Sequence, residues 1–563
     1  MATIIKKMKK GRPYYYAVES ARVDGKPRIV WQKYLGTIDG LVKRAEEAAP
    51  PKPKEAVIFE AGGIAALVGI AQRLELFSLI NAVVRKREQG ATVGHYMLLA
   101  ALNRALDPCS KLAIGDWYEQ TVLRRLWRFP KSMFSSQRFW DHMDKVSEAA
   151  IDAIQGGVAS RVRDAFGIDA RVLLYDTTNF FTFLATGNGR AEFPQRGQSK
   201  AKRHDLRQVG LALLVTREFQ IPLFHRVYAG NVPDVSLFPE LAGELIARHR
   251  AVLGASEETT LVFDKGNVSE EAMERLVVAG VPFVAALPAN RLSEVFTTSL
   301  DRFVEVPTLA GVRAYTAETV MWGKACRLVV TYTESFFTQQ LAGITHNLVR
   351  AQRQLMEVKK GLDRWQGGKG WGRKPTLAGV KKKVGEILSG QFLKQLFQVE
   401  VESVNGLPRL RYAVDHTALQ RLSDERLGRT FLVTSHDDWP TEETIKAYRS
   451  LSSIEETFKR MKDVRFLRWQ PAYHWTDQKL KVHAFYCVLA LLLASLARKV
   501  AVEAGMNLTV PALLKELSGI REVAVIYPHG TLAHRKDHIT LSRMSPRQRR
   551  LAIALDIGEV LGR

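Results

Sequence analysis

Residues 170–180, ARVLLYDTTNF, decide the fold class. The apolar run ARVLLY ends on Asp176, and two similar runs follow, QVGLALLVT (208–216) and IPLFHRVY (221–228), split by a four-residue turn. Runs this short, rich in β-branched residues and closed by turn residues, read as strands. Beyond them come a helix over about 236–250, a strand TTLVFD (259–264), a helix from Ser269 and a strand VPFVAAL (281–287). Three strands in a meander, then helix and strand in alternation, predict an α/β layer built on a mixed sheet.

Working outward, residues 58–166 repeat apolar residues at three and four, as amphipathic helices require. Before them AAPPKPKEA (48–56) is a proline-rich linker, and 13–36 reads as a β-hairpin around the tight-turn pair Asp24-Gly25. On the other side, 312–333 is β-like and 337–362 is a charged helix. Between Arg353 and Lys383 ten Lys or Arg face only Glu357 and Asp363, a surplus of 10 − 2 = 8, with Trp365 and Trp371 interleaved. Cationic side chains beside stacking aromatics suit DNA, and a solvated loop has the same composition. A helix over 442–462 and a buried helix over 479–503 precede a basic C-terminal part. The division expected is a basic hairpin region at 1–47, a helical, DNA-binding-like domain at 58–166, an α/β domain at 167–290 and 436–500, an insertion at 291–435, and a C-terminal region at 501–563.

The 563 residues carry 82 Lys or Arg against 58 Asp or Glu, so the formal charge of +24 favours a polyanionic partner, nucleic acid first. Cys109, Cys326 and Cys487 form no C-x-x-C pair, which argues against a disulfide framework and a zinc cluster. The basic start MATIIKKMKKGRPYYY lacks the apolar run of a secretory signal, and the apolar stretch 482–497 is too short to span a bilayer. We therefore expect neither export nor a membrane partner.

Side chains at the carboxyl edge of such a sheet converge on the crevice where ligands bind. Asp176 closes the first strand and Asp264 the fourth. Each alone also fits a turn or capping role. A third carboxylate comes from AYRSLSSIEETFKRMK, where Tyr448, Glu455 and Lys462 lie seven apart and would share one helix face. Three carboxylates without His or Cys suit hard cations, and two magnesium or manganese ions suit phosphodiester chemistry. Neither an H-E-x-x-H nor a G-x-S-x-G motif offers a rival site.

Together these residues resemble the DDE transposases of bacterial insertion sequences, of the IS-four-like kind with a ribonuclease H-like catalytic domain. The glutamate signature of that family places tyrosine, arginine, glutamate and lysine where this chain has Tyr448, Leu451, Glu455 and Lys462, so Leu451 departs from the arginine. YDTTNF, GQSKAKRHDLRQVGLALL, AGNVPD, FDKGN and HWTDQKLKVHAF resemble the branch with a long insertion before the glutamate. The resemblance implies Asp176, Asp264 and Glu455 as the catalytic and metal-holding triad for two Mg2+ or Mn2+ ions. It implies phosphate positioning by Tyr448 and Lys462, with Lys200, Arg203 and Lys265 as further DNA contacts. It also implies binding to terminal inverted repeats, cleavage, joining of 3′ ends to target DNA, a homodimer on paired ends, and a bacterial cytoplasmic, nucleoid-associated location. Trp322, Trp365 or Trp371 could stack on a displaced base. Two other readings stand beside this one: a ribonuclease H-like endonuclease without strand transfer, and a catalytically inactive DNA-binding protein.

Overall fold

The computed structural model describes every residue except 1, 48–51, 86–88, 185–186, 198–202, 204, 234–235, 237, 242, 245–246, 248–257, 288–297, 464, 471, 528–536 and 563. Part of the helix expected over 236–250, and part of the expected linker, lie outside the described residues.

The N-terminal hairpin is one strand larger than expected. β1 (Ala2–Lys9) pairs antiparallel with β2 (Arg12–Val23), which pairs with β3 (Lys26–Gly36). Lys10-Gly11 and Asp24-Gly25 both take positive φ at the two turns, the geometry that matches the twist of paired strands. Lys6, Lys7 and Lys9 thus sit on a strand and not on a tail before one. β4 (Glu55–Glu60) belongs to another small sheet, described below.

The central sheet begins with β5 (Val172–Thr182), β6 (Arg207–Thr216) and β7 (Pro222–Ala229), an antiparallel meander. β8 (Thr260–Phe263) and β9 (Phe283–Ala286) then add parallel to β5 on its other side. The order β7-β6-β5-β8-β9 is the mixed sheet that the sequence predicts, in a multidomain α/β chain. Its strands read as near-continuous apolar runs because both faces are covered; every residue of β6 after Arg207 is buried.

The sheet does not stop at residue 290. β10 (Val304–Glu305), β11 (Val312–Met321) and β12 (Lys324–Thr333), which the sequence assigns to the insertion, extend it to nine strands, and β15 (Arg429–Thr434) pairs between β12 and β9. The true excursion is therefore the segment between β12 and β15. It holds a 33-residue helix, Glu334–Gln366, a helix Leu377–Ile387, and a hairpin of β13 (Phe397–Val404) and β14 (Leu407–Val414). Ala351, Leu355, Val380, Val384 and Leu410 give it a small core of its own.

The helical block and the sheet share one core. The apolar helix expected near 479–503 spans Asp477–Glu503, and it packs on the helices Gly62–Arg73 and Val93–Leu106 and on β7. It is longer than the sequence suggested, and by length and hydropathy it could cross a membrane, but 94% of its most apolar window is buried inside the protein. In the C-terminal region β16 (Arg521–Ile526) pairs with β17 (His538–Leu541) and with β4, tying that region back to the start of the helical block.

One glycine is fixed by close approach. Gly210 on β6 faces Tyr228 across the ladder, and a Cβ there would lie 2.1 Å from the tyrosine ring. Gly210→Ala is expected to lower stability by about 1–3 kcal/mol, the cost of overpacking, read as a lower urea midpoint at unchanged slope.

Candidate active site

Parallel pairing sets the first two carboxylates in register. Leu174 pairs with Val262, so Asp176 and Asp264, each two residues further on, project from the same face of adjacent strands. Adjacent strands lie about 4.8 Å apart, so both carboxylates border one point on the sheet edge. Asp176 is half-buried and Asp264 exposed, where the chain leaves β8 for the turn Lys265–Asn267.

The expected helix over 442–462 is two helices, Thr441–Arg449 and Leu451–Lys462, joined at Ser450. Tyr448 and Glu455 therefore do not share an unbroken helix face as their spacing predicts. Both helices still close on the sheet edge. The Tyr448 hydroxyl donates to Asp264 Oδ1 at 2.8 Å, and Lys462 Nζ donates to Thr178 Oγ1 at 2.7 Å. Thr178 stands two residues beyond Asp176 and on its face, so the ammonium sits beside the first carboxylate. Burial, then the charge and hydrogen bond of Asp264, then the charge of Glu455, push the Tyr448 phenol far above its ordinary range. Tyr448 is thus protonated at neutral pH, and it links the two carboxylates, one by a bond and one by field. Removing that hydroxyl in Tyr448→Phe is expected to slow any DNA cleavage by roughly ten- to a hundredfold, the worth of one hydrogen bond to a charged group, with the thermal midpoint little changed. A single-turnover nicking assay beside a melting curve separates the two.

Glu455 is exposed on the second helix, and its neighbour Glu456 is engaged by Lys459 at 3.5 Å. Leu451, at the arginine position of the resembled signature, is 8% exposed and belongs to the core. An exposed Arg449 stands two residues before it.

The donor set, carboxylate oxygens without thiolate or imidazole, suits a hard divalent cation. Among the described residues, however, no three His, Cys, Asp or Glu side chains converge closely enough to hold one ion. Asp264 accepts from Tyr448, and Asp176 Oδ1 accepts from the Thr177 amide at 2.8 Å. The fold brings Asp176 and Asp264 together as a pair fit for a shared cation; Glu455 is near in charge and does not complete a cluster.

The remaining expected contacts fare differently. Lys265 is exposed directly after Asp264. Arg203 is exposed but paired with Asp205 at 2.8 Å, and Lys200 lies outside the described residues. Trp371 is 86% exposed on the basic segment, whereas Trp365 is covered by its own loop, a Cβ at Gly370 falling 2.1 Å from its ring. Trp322 occupies the β11–β12 turn with φ 53° and meets Phe283 edge-on at 6.0 Å, so it is a packed residue and not a free stacking platform.

Sequence reasoning missed three supports. Thr178 anchors Lys462, and the β-alternation from Asp176 points to it. Phe180 stacks on the fully buried Trp469 at 4.4 Å, and Lys462 Nζ stands 5.2 Å from the centroid of the Phe180 ring. Asp477 accepts from the amides of Glu192 and Phe193, fixing the loop after β5 to the start of the long buried helix.

No protein-family model matches the chain, and no curated protein matches it. Among solved structures it is similar to a piggyBac transposase, determined by cryo-EM as a synaptic complex with hairpin DNA, at 10% identity and a TM-score of 0.37, covering 81% of this chain and 79% of that one. At that TM-score the likeness carries no argument. Function has to be argued from the chain's own residues.

Proposed function

We propose that this protein is a DNA transposase of the DDE type, which binds the terminal inverted repeats of its element, cuts at the ends and joins the 3′ ends to target DNA. The observation that carries the reading is the common register of Asp176 and Asp264 on adjacent parallel strands, with Tyr448 and Lys462 anchored on the same edge from the two helices around Glu455. Asp176, Asp264 and Glu455 would hold two Mg2+ or Mn2+ ions, which when bound supply activation of the attacking oxygen and stabilisation of the leaving one. Tyr448 keeps its proton and offers a neutral donor beside Asp264; Lys462 offers a cation beside Asp176, and each is placed to orient a phosphate. Water serves as the first nucleophile and the freed 3′ hydroxyl as the second.

The charge of +24 and the basic segment around Trp371 support DNA as the partner. Assembly as a homodimer on paired ends, and a place at the bacterial nucleoid, belong to the same proposal. Trp371→Ala is expected to weaken binding to single-stranded or distorted DNA by about 1–3 kcal/mol without moving the melting temperature, because the ring makes so little contact with the fold. Fluorescence anisotropy at fixed salt measures it. Cleavage of a duplex carrying the element's end, compared between wild type and carboxylate variants, tests the reading as a whole.

A further inference from the structure

A pocket of about 240 Å³ opens between the helical block and the start of the long buried helix, lined among others by Arg104, Lys111, Ser136, Trp140, Tyr473 and His474. Nothing in the cleavage chemistry uses it. Its polar groups are incompletely matched by the fold. The Lys111 ammonium lies 4.3 Å over the ring of Tyr486 and 5.2 Å over that of Phe139, and no carboxylate among the described residues pairs with it. A cation held against ring faces and beside the buried Arg104 lacks a counter-charge. Burial and the charge of Arg104 draw its ordinary pKa down to about 7.

His474 is 5% exposed, and its Nδ1 has no partner. His483 Nε2 lies 2.7 Å from the Trp469 carbonyl and must donate to it, so neutral His483 presents Nδ1 as an acceptor. That acceptor faces both the Tyr486 hydroxyl at 2.5 Å and His474 Nε2 at 2.9 Å, so either can supply its proton, and the partnerless His474 Nδ1 faces the pocket as a lone pair or as an N–H accordingly. The pocket therefore offers a cation that wants an anion and a buried ring nitrogen that wants a hydrogen-bond partner, between aromatic walls. Tyr473 at its rim is half-exposed and touches Phe183, the residue after β5, so the pocket mouth lies beside the far end of the strand that carries Asp176.

We propose that this pocket binds a nucleotide, its phosphate on Lys111, the polar edge of its base on His474 Nδ1 and its ring against the aromatic walls. Stacking on aromatic side chains and charge-assisted phosphate bonds are the ordinary means of holding such a unit. The nucleotide is either free or part of a DNA strand passing the sheet edge; the chemistry is shared.

Amine labelling of the wild-type protein at pH 7, read peptide by peptide by mass spectrometry, tests this without requiring cleavage. Deoxyadenosine monophosphate or a short adenine-rich single strand is expected to slow modification of Lys111 by about tenfold, while deoxyadenosine, which lacks phosphate, leaves it fast. Protection by the strand alone assigns the site to DNA, and protection by the monophosphate alone assigns it to free nucleotide; either supports the proposal. Lys111→Met is expected to weaken binding of whichever ligand protects by roughly ten- to a hundredfold and Lys111→Arg to retain most of it. His474→Phe is expected to weaken binding of the same ligand by roughly tenfold. Unchanged labelling with both the monophosphate and the strand, or wild-type affinity in Lys111→Met, would overturn it.

Discussion

Asp176→Asn is expected to reduce metal-dependent DNA cleavage by a thousandfold or more while DNA binding persists, and Asp264→Asn and Glu455→Gln are expected to do the same. The asparagine is isosteric, so β5, whose ladder to β6 runs unbroken from Leu173 to Thr182, keeps its pairing. What is lost is the charge. A carboxylate that faces a cation contributes several kcal/mol of transition-state stabilisation, and about 1.4 kcal/mol is tenfold in rate, so a thousandfold corresponds to about 4 kcal/mol. Anisotropy with the same duplex is expected to differ by less than about threefold, since the +24 charge dominates affinity. A variant that cleaves within tenfold of wild type would remove that residue from the chemistry, and Glu455 is the most exposed to such a result because strand register pairs Asp176 with Asp264 and not with it.

The second large effect concerns acid. His474 and His483 are buried neutral at the junction of the helical block and the sheet; burial draws His474 from 6.5 to about 3 and holds His483 well below its ordinary value, with Lys111 and Arg104 adding to the shift. Unfolded, both take up a proton below about pH 6.5; folded, they do not. The unfolded state thus binds more protons, and stability is full above pH 6.5 and falls as pH drops from there toward 3. His474 loses about 1.4 kcal/mol per pH unit in that window, up to about 3 kcal/mol by pH 4.5, and His483 adds a loss in the same direction. Urea unfolding at pH 7.5, 6.0 and 5.0 measures it, and the double variant His474→Gln with His483→Gln is expected to flatten the slope. A midpoint that stays level from pH 7.5 to 5.0 in wild type would contradict the burial of these rings.

Much of the catalytic layer was legible because its signals are local. ARVLLY and TTLVFD are apolar runs that each end on an aspartate, and the parallel pairing of β5 with β8 follows from the helix and strand between them. Pairing across long separations left no such signal: β11 and β12 look like strands in the sequence, but nothing in them says that they join the central sheet through β15, about a hundred residues away. Ser450 hides a helix break for the opposite reason. Its backbone stays in the right-handed helical region, so no glycine or proline marks the place where the Tyr448 helix gives way to the Glu455 helix. The seven-residue spacing singled out Tyr448 and Lys462, which do reach the sheet edge, on a geometry that is not continuous. Lys111 and His474 were invisible as a pair because 363 residues, 474 − 111, separate them in the chain.

The most direct measurement uses the DNA that flanks this coding sequence in its source genome. A labelled duplex spanning that end is incubated with wild-type protein, Mg2+ or Mn2+ and a supercoiled plasmid. The expected result is metal-dependent nicking at the end, followed by labelled 3′ ends covalently joined to plasmid. Nicking without joined product would contradict strand transfer and leave an endonuclease; tight binding with no cleavage at all would contradict the enzyme.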